Sequence, residues 1–303
     1  MRRALLLLCA LLSSGCIVPV GRFFAPVFET PARVPNKITE PVRKDAHLAV
    51  LWVGHATVLI QIDDKIILTD PVFTNAVGQL SARLSEPGLA AENVPPVDAV
   101  LISHLHFDHL SLGSLELLEP KIRTLVMPQD GLVYLTDFSF PAMELPRWHS
   151  VDLDGLRITA VPVVHNGMRY GIDIGWMKRA FTGYVIQYHG VTVYFGGDTA
   201  YGPHFKETHN RFGHIDLALL PISPIEPRSF MKKSHVDPEE AVRGFLELGA
   251  ERMVPMHYDT FVNGQDEPGD ALRALRSAMK RHALDAERVA ILRIGEQRVF
   301  LRR

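Results

Sequence analysis

The stretch Ser103-His104-Leu105-His106-Phe107-Asp108-His109-Leu110 decides the reading of this chain. Three histidines and an aspartate fall within six positions, directly after the apolar run Val97-Asp98-Ala99-Val100-Leu101-Ile102. That run reads as a buried strand that delivers the cluster to the carboxyl end of a sheet, where loops build sites. In extended chain alternate residues share a side, so His104 and His106 point together, while Asp108 and His109 follow where the chain turns. Neutral imidazole and carboxylate are ligands for zinc and its neighbours. A polar surface loop accounts for one or two such residues. It does not account for four converging ones.

Working outward, other apolar runs also end in a candidate ligand. Gly155–Val164 precedes His165, Val191–Phe195 precedes Gly196-Gly197-Asp198-Thr199, and Arg252–Met256 precedes His257. Ligands gathered at one rim of a sheet protein define one site. Upstream, Leu48–Val53, Thr57–Ile62 and Lys65–Thr69 read as strands. His55 stands at a glycine corner between the first two. Asp70 stands at the end of the third, placed to orient a ligand imidazole from behind. Leu112–Leu118 reads as a short helix, Thr182–Tyr188 with Val191–Phe195 as a hairpin, and Ile215–Ile222 as a buried strand. Asp237-Pro238-Glu239-Glu240 opens a helix with a capping box, running to Gly249. Asp270–Arg281 is a further helix, and Val289–Ile294 with Gln297–Leu301 a closing hairpin.

The composition is that of an ordinary globular protein. Of 303 residues 47% are hydrophobic and 22% charged, with a formal charge of −2. The length allows a large core in one domain or two fused halves. No long basic stripe is present, which argues against nucleic acid as a partner.

The first residues read as a targeting segment. Met1-Arg2-Arg3 is a positive start, and Ala4 to Leu12 is an apolar core shorter than the roughly 20 residues of a spanning helix. Leu12-Ser13-Ser14-Gly15-Cys16 is similar to the lipobox of bacterial lipoproteins, which are cut before the cysteine and lipidated on it; an ordinary secretory signal is the alternative. Removal of residues 1–15 takes Lys+Arg from 32 to 30 against 34 acids, a mature charge of −4, and leaves Cys16 as the only cysteine. No intrachain disulfide is then available in an oxidising compartment. Ile17, rather than aspartate, after the cysteine points to an outer membrane, with the protein facing the periplasm. Residues 16–46 are proline-rich and read as an extended tether, with the globular domain over 47–303. Phe23, Phe24 and Phe28 are placed to rest on the domain or on a membrane.

The order H-x-H-x-D-H, His, Gly-Gly-Asp-Thr and a late His resembles the metallo-β-lactamase superfamily across the globular part. The resemblance implies an α+β fold, an αββα sandwich of two mixed sheets with outer helices and a metal pair at one edge. It implies that His104, His106 and His165 hold one ion, that Asp108, His109 and His257 hold the other, and that Asp198 bridges them. Two divalent ions are expected, most simply zinc, with manganese or iron as alternatives. Trp52-Val53-Gly54-His55-Ala56-Thr57, Thr69-Asp70-Pro71, Glu226-Pro227-Arg228-Ser229-Phe230-Met231-Lys232 and His235-Val236-Asp237-Pro238-Glu239-Glu240-Ala241 resemble N-acyl-phosphatidylethanolamine-hydrolysing phospholipase D more narrowly. This implies a phosphodiesterase acting on phospholipid, with Asp108, Asp198 and His235 as its catalytic set. His235 is then near the metals, either touching phosphate or its leaving alcohol or packing a helix start. Arg228 and Lys232 are either phosphate contacts or a structural pair, and His55 is read as facing substrate. Asn166-Gly167 after His165 departs from the family, which commonly has an aromatic there, and Met168–Ala180 carries no family motif. True β-lactamases usually carry cysteine or another residue where Asp198 stands. A lactonase similar to the L-ascorbate-6-phosphate lactonase branch, with manganese, is the rival hydrolase. A lipid-anchored envelope protein with structural metals is the non-enzymatic rival, and structural sites usually close with four ligands.

Overall fold

Strands β1 (Ala46–Gly54), β2 (Thr57–Ile62) and β3 (Lys65–Thr69) are buried along almost their whole length. They divide their side chains between two cores. Leu48, Val50, Trp52, Val58, Ile60, Ile62 and Ile67 face the second sheet, while Leu51, Val53, Leu59, Ile66 and Leu68 face the other side. The two-residue repeat of extended chain produces this split, and coverage on both faces explains why the runs are continuous rather than alternating. Fully burying such a side chain is worth about 1.5–3 kcal/mol.

A computed structural model describes residues 30–77, 81–173 and 175–303. After β3 come β4 (Ala76–Val77), β5 (Ser81–Ala82), β6 (Ala99–Leu101), helix α1 (Leu112–Leu118), β7 (Leu125–Pro128), β8 (Ala142–Leu145), β9 (Ser150–Leu153), β10 (Leu156–Val161), β11 (Gly183–Tyr188) and β12 (Val191–Phe195). Then follow α2 (His204–Phe212), β13 (Ile215–Pro221), α3 (Arg228–Met231), α4 (Pro238–Leu248), β14 (Ala250–Met256), α5 (Asp270–Arg281) and β15 (Gln297–Arg302). One sheet has the order β15-β1-β2-β3-β6-β7-β8, the other β14-β13-β12-β11-β10-β9, and β4 pairs with β5 alone. Both large sheets are mixed: β3, β6, β7 and β8 run parallel, as do β12, β13 and β14, and the remaining pairs are antiparallel. The inner faces of both sheets share one core, as the αββα reading requires.

The helix ends follow their sequence signals. Ser111 caps α1 by accepting from the Ser114 amide, and α4 carries the reciprocal Asp237–Glu240 capping box. Gly249 ends α4 in a left-handed conformation, φ 63°, with the ring of His209 only 2.6 Å from where a Cβ would stand.

Three expectations are corrected. The closing hairpin does not form: β15 pairs with β1, while the Ala290 amide bonds to Met253 of β14. Gly155–Val164 is a strand only over Leu156–Val161. The described part of the proline-rich segment is no free spacer. The Ala32 amide bonds to Leu84, Lys37 pairs with Glu86, and Gln61 takes the Arg43 amide. The signal segment, Cys16, Phe23, Phe24 and Phe28 lie outside the described residues.

Candidate metal centre

The H-x-H-x-D-H loop leaves β6 and is pinned from behind. Asp70 accepts from the Ser103 amide at 2.7 Å and from its hydroxyl at 2.6 Å. The carbonyl of His106 accepts from the amides of His109 and Leu110, a turn that brings Asp108 and His109 round to face His104 and His106. From the other sheet, Gly197 must pass close: its φ is 55° and a Cβ there would lie 2.4 Å from that of Ser103. Glycine at this position lets Asp198 reach the loop.

Five of the converging imidazoles are the predicted ligands, and the outward nitrogen of each has a partner. Nδ1 of His104 meets the Ser103 hydroxyl at 2.9 Å, and Nε2 of His106 meets Oδ1 of Asn166 at 3.0 Å. Nδ1 of His109 donates to Asp70 at 2.7 Å, Nδ1 of His165 to the Ser234 carbonyl at 2.9 Å, and Nδ1 of His257 to the Ser223 carbonyl at 2.9 Å. These partners fix the tautomers and turn the remaining nitrogens inward as acceptors.

The inward atoms form two groups. Nε2 of His104 and Nε2 of His165 lie 2.9 and 3.4 Å from Nδ1 of His106. Nε2 of His109 and of His257 are 3.2 Å apart, with Oδ2 of Asp108 at 3.7 and 3.9 Å from them. Asp198 stands between the groups: Oδ1 is 3.0 Å from His257, and Oδ2 is 3.4 Å from His109 and 4.0 Å from both His104 and His165. Lone pairs held this close repel unless a cation lies among them, and the buried carboxylates Asp70 and Asp198, with the half-buried Asp108, call for the same charge. The donor set therefore fits metal.

Electrostatics agree. Burial, with crowding by His109, His165 and His106, holds His104 neutral, far below the ordinary imidazole range. Burial also opposes charge on His109, but Asp198, Asp108 and Asp70 overcome it and raise its pKa well above normal. Burial disfavours the Asp198 carboxylate, yet His257 and His109 hold its pKa well below the usual range.

The structure brings together His104, His106, Asp108, His109, His165, Asp198 and His257, as the sequence predicts. Asp70 is directly behind His109, and His235 also belongs here: its buried Nδ1 lies 3.5 Å from Oδ2 of Asp198 and makes no hydrogen bond. His55 needs correction, since its ring lies not toward an open mouth but within the second group, 3.0 Å from Asp108. Of the two readings left open for Arg228, the structural one is formed. Its guanidinium is engaged with Asp237, Glu240 and the His235 carbonyl, so it braces the start of α4. Lys232 is exposed at the end of α3. Sequence reasoning missed Asn166, Ser103, Ser223, Ser234 and Arg169. Only Asn166, beside a candidate ligand and unlike the family pattern, carried a visible signal.

Fold and site together define a metal-dependent hydrolase. The chain belongs to the metallo-β-lactamase superfamily: the family model described as a β-lactamase superfamily domain matches residues 65–258. It is 30% identical over 275 residues to N-acyl-phosphatidylethanolamine-hydrolysing phospholipase D 1 of Caenorhabditis elegans, covering 83% of this chain and 76% of that protein. It is 28% identical over 251 residues to a UPF0173 metal-dependent hydrolase of Methanoculleus marisnigri, covering 82% and 95%. Among solved structures, a metallo hydrolase of Ignicoccus hospitalis shares the fold with a TM-score of 0.63 at 24% identity, over 83% of this chain and 97% of that one.

Proposed function

We propose that this hydrolase is a phosphodiesterase of the phospholipase D type, cleaving phosphatidylethanolamine or its N-acyl form on the head-group side of phosphorus with two zinc ions. His104, His106 and His165 would hold one ion, Asp108, His109 and His257 the other, with Asp198 between. When bound, the ions supply Lewis acidity and lower the pKa of water from 15.7 to about 7. His235, with its unpartnered Nδ1, is available to hydrogen-bond a phosphoryl or leaving oxygen.

The observation that carries the lipid reading is an apolar lip beside the metal loop. Val133, Tyr170, Ile172 and Trp176 are 69%, 53%, 79% and 63% exposed. They lie on two adjoining segments, joined by the Tyr134 hydroxyl, which donates to Asp173 at 2.6 Å, and by the Tyr134 and Tyr170 rings 5.6 Å apart. Arg169 ties the lip to the site: its Nη1 donates to the Leu105 and Leu110 carbonyls at 2.8 and 2.9 Å, and its guanidinium lies 4.2 Å over Phe107. Acyl chains need such an apolar rest, whereas a small soluble lactone does not. Trp and Tyr suit a lipid–water boundary. The signal pattern ending in Cys16 supports a lipid-anchored position in the outer membrane, beside that substrate.

Mass spectrometry of products from plain and N-acylated phosphatidylethanolamine tests the reading. Phosphatidic acid with ethanolamine or N-acylethanolamine is expected. Diacylglycerol, or no phospholipid turnover beside brisk lactone hydrolysis, would overturn it.

A further inference from the structure

His55 holds two candidate ligands that come from opposite sheets. It sits at the corner between β1 and β2, where pairing slips after Trp52 and the backbone turns through positive φ at Gly54, 126°, and His55, 54°. The corner is fixed on three sides. The His55 amide donates to Thr260 Oγ1 at 2.8 Å, and its carbonyl accepts from Trp52 Nε1 at 2.9 Å and from the His257 amide at 3.0 Å. Its ring, 1% exposed, lies 3.8 Å from the His257 ring and 5.0 Å from that of Phe261. Nε2 is 3.0 Å from Oδ2 of Asp108, the oxygen turned toward His109 and His257. An ionised carboxylate only accepts, so Nε2 carries the proton and donates.

We infer that His55 is a positioning residue for the second metal place, its ring fixing the Asp108 carboxylate while its carbonyl fixes the His257 backbone. This rests on the binuclear reading above but assigns a role that the seven candidate ligands do not contain. One residue sets the spacing of a ligand from the loop after β6 and a ligand after β14. An oxygen already hydrogen-bonded there is preorganised and cannot swing to another rotamer. The side chain is separable from the carbonyl, because substitution removes only the ring.

Zinc titration of the metal-free full chain against a chelating indicator tests it, with His55→Phe and His55→Gln beside the wild type. Phe keeps the packing against His257 and Phe261 but has no donor, whereas the Gln amide places an N–H near the position of Nε2. His55→Phe should bind the zinc held at Asp108 about 10–100-fold more weakly, with the melting temperature of the metal-free protein unchanged. His55→Gln should recover most of the loss. Wild-type affinity in His55→Phe for every equivalent it takes up would overturn the inference, whatever the wild-type stoichiometry. Equal loss in both variants would make the ring a ligand itself and overturn the positioning role. A wild-type stoichiometry of one overturns the binuclear reading instead, so the two failures are distinct.

Discussion

Oδ2 of Asp70 lies 2.7 Å from Nδ1 of His109, and both residues are fully buried. The same oxygen accepts from the Ser103 hydroxyl, which in turn meets Nδ1 of His104 at 2.9 Å. One carboxylate therefore orients a ligand in each half of the centre. Asp70→Asn keeps the shape and removes the charge, and it should weaken metal binding at both places by about 10–100-fold. Competition with a chelator reads this directly, and unchanged affinity would refute it.

Elemental analysis should find close to two equivalents of metal per chain. Asp198→Ala should lower that occupancy and reduce turnover at least about 100-fold, since Asp198 is the group between both sets of nitrogens. A single equivalent, unchanged in the variant, would make the centre mononuclear.

The lip predicts a difference between substrates. Ile172→Ser and Trp176→Ser each remove an apolar side chain that acyl chains would bury, worth about 1.5–3 kcal/mol, or roughly 10–100-fold in KM for phospholipid. Turnover of a soluble chromogenic diester should stay at the wild-type level. Equal losses on both substrates would assign the lip a purely structural role.

His204 gives a pH dependence. Its ring is buried on α2, and burial pushes its pKa down to about 4, against roughly 6.5 in the unfolded chain. Between these values the unfolded state binds the extra proton, so stability is full above pH 6.5 and falls as pH drops toward 4. The loss approaches about 3 kcal/mol, at about 1.4 kcal/mol per unit. Urea midpoints at pH 7 and pH 4.5 should show a smaller gap in His204→Gln. An identical gap would place the acid sensitivity elsewhere.

Cys16→Ser should release the protein from the membrane fraction, as required if lipid on that thiol is the anchor. Retention of the variant would move the anchor to Phe23, Phe24 and Phe28 or to the lip.

Much of the centre was legible because ligand chemistry belongs to residue types and strands deliver them to one rim. His104 through His109 could be read from one line of sequence, and His165, Asp198 and His257 from their places after apolar runs. The role of His55, and the choice between the two readings of Arg228, were not legible, because each depends on a partner brought by folding: Asp108 for one, Asp237 and Glu240 for the other. In the fold, α2 was missed because its buried face is His204, Phe205 and Thr208, which shows little apolar periodicity. The last hairpin was misassigned for a related reason. Val289–Ile294 has the composition of a strand, but its neighbour β15 finds β1, pairing Ala46 with Arg302, rather than the run beside it.

The division of candidate ligands between the sheets has a consequence for how the chain folds. The loop from β6 brings four of them, and the segments after β10, β12 and β14 bring His165, Asp198 and His257. Neither half alone completes either set, so the full centre comes into being only when the two layers dock. Such contacts close long stretches of chain and form slowly. Bound metal then acts as a clasp across the interlayer seam: it favours only the docked state, stabilises that state more as metal concentration rises, and makes metal retention a reporter of interlayer integrity.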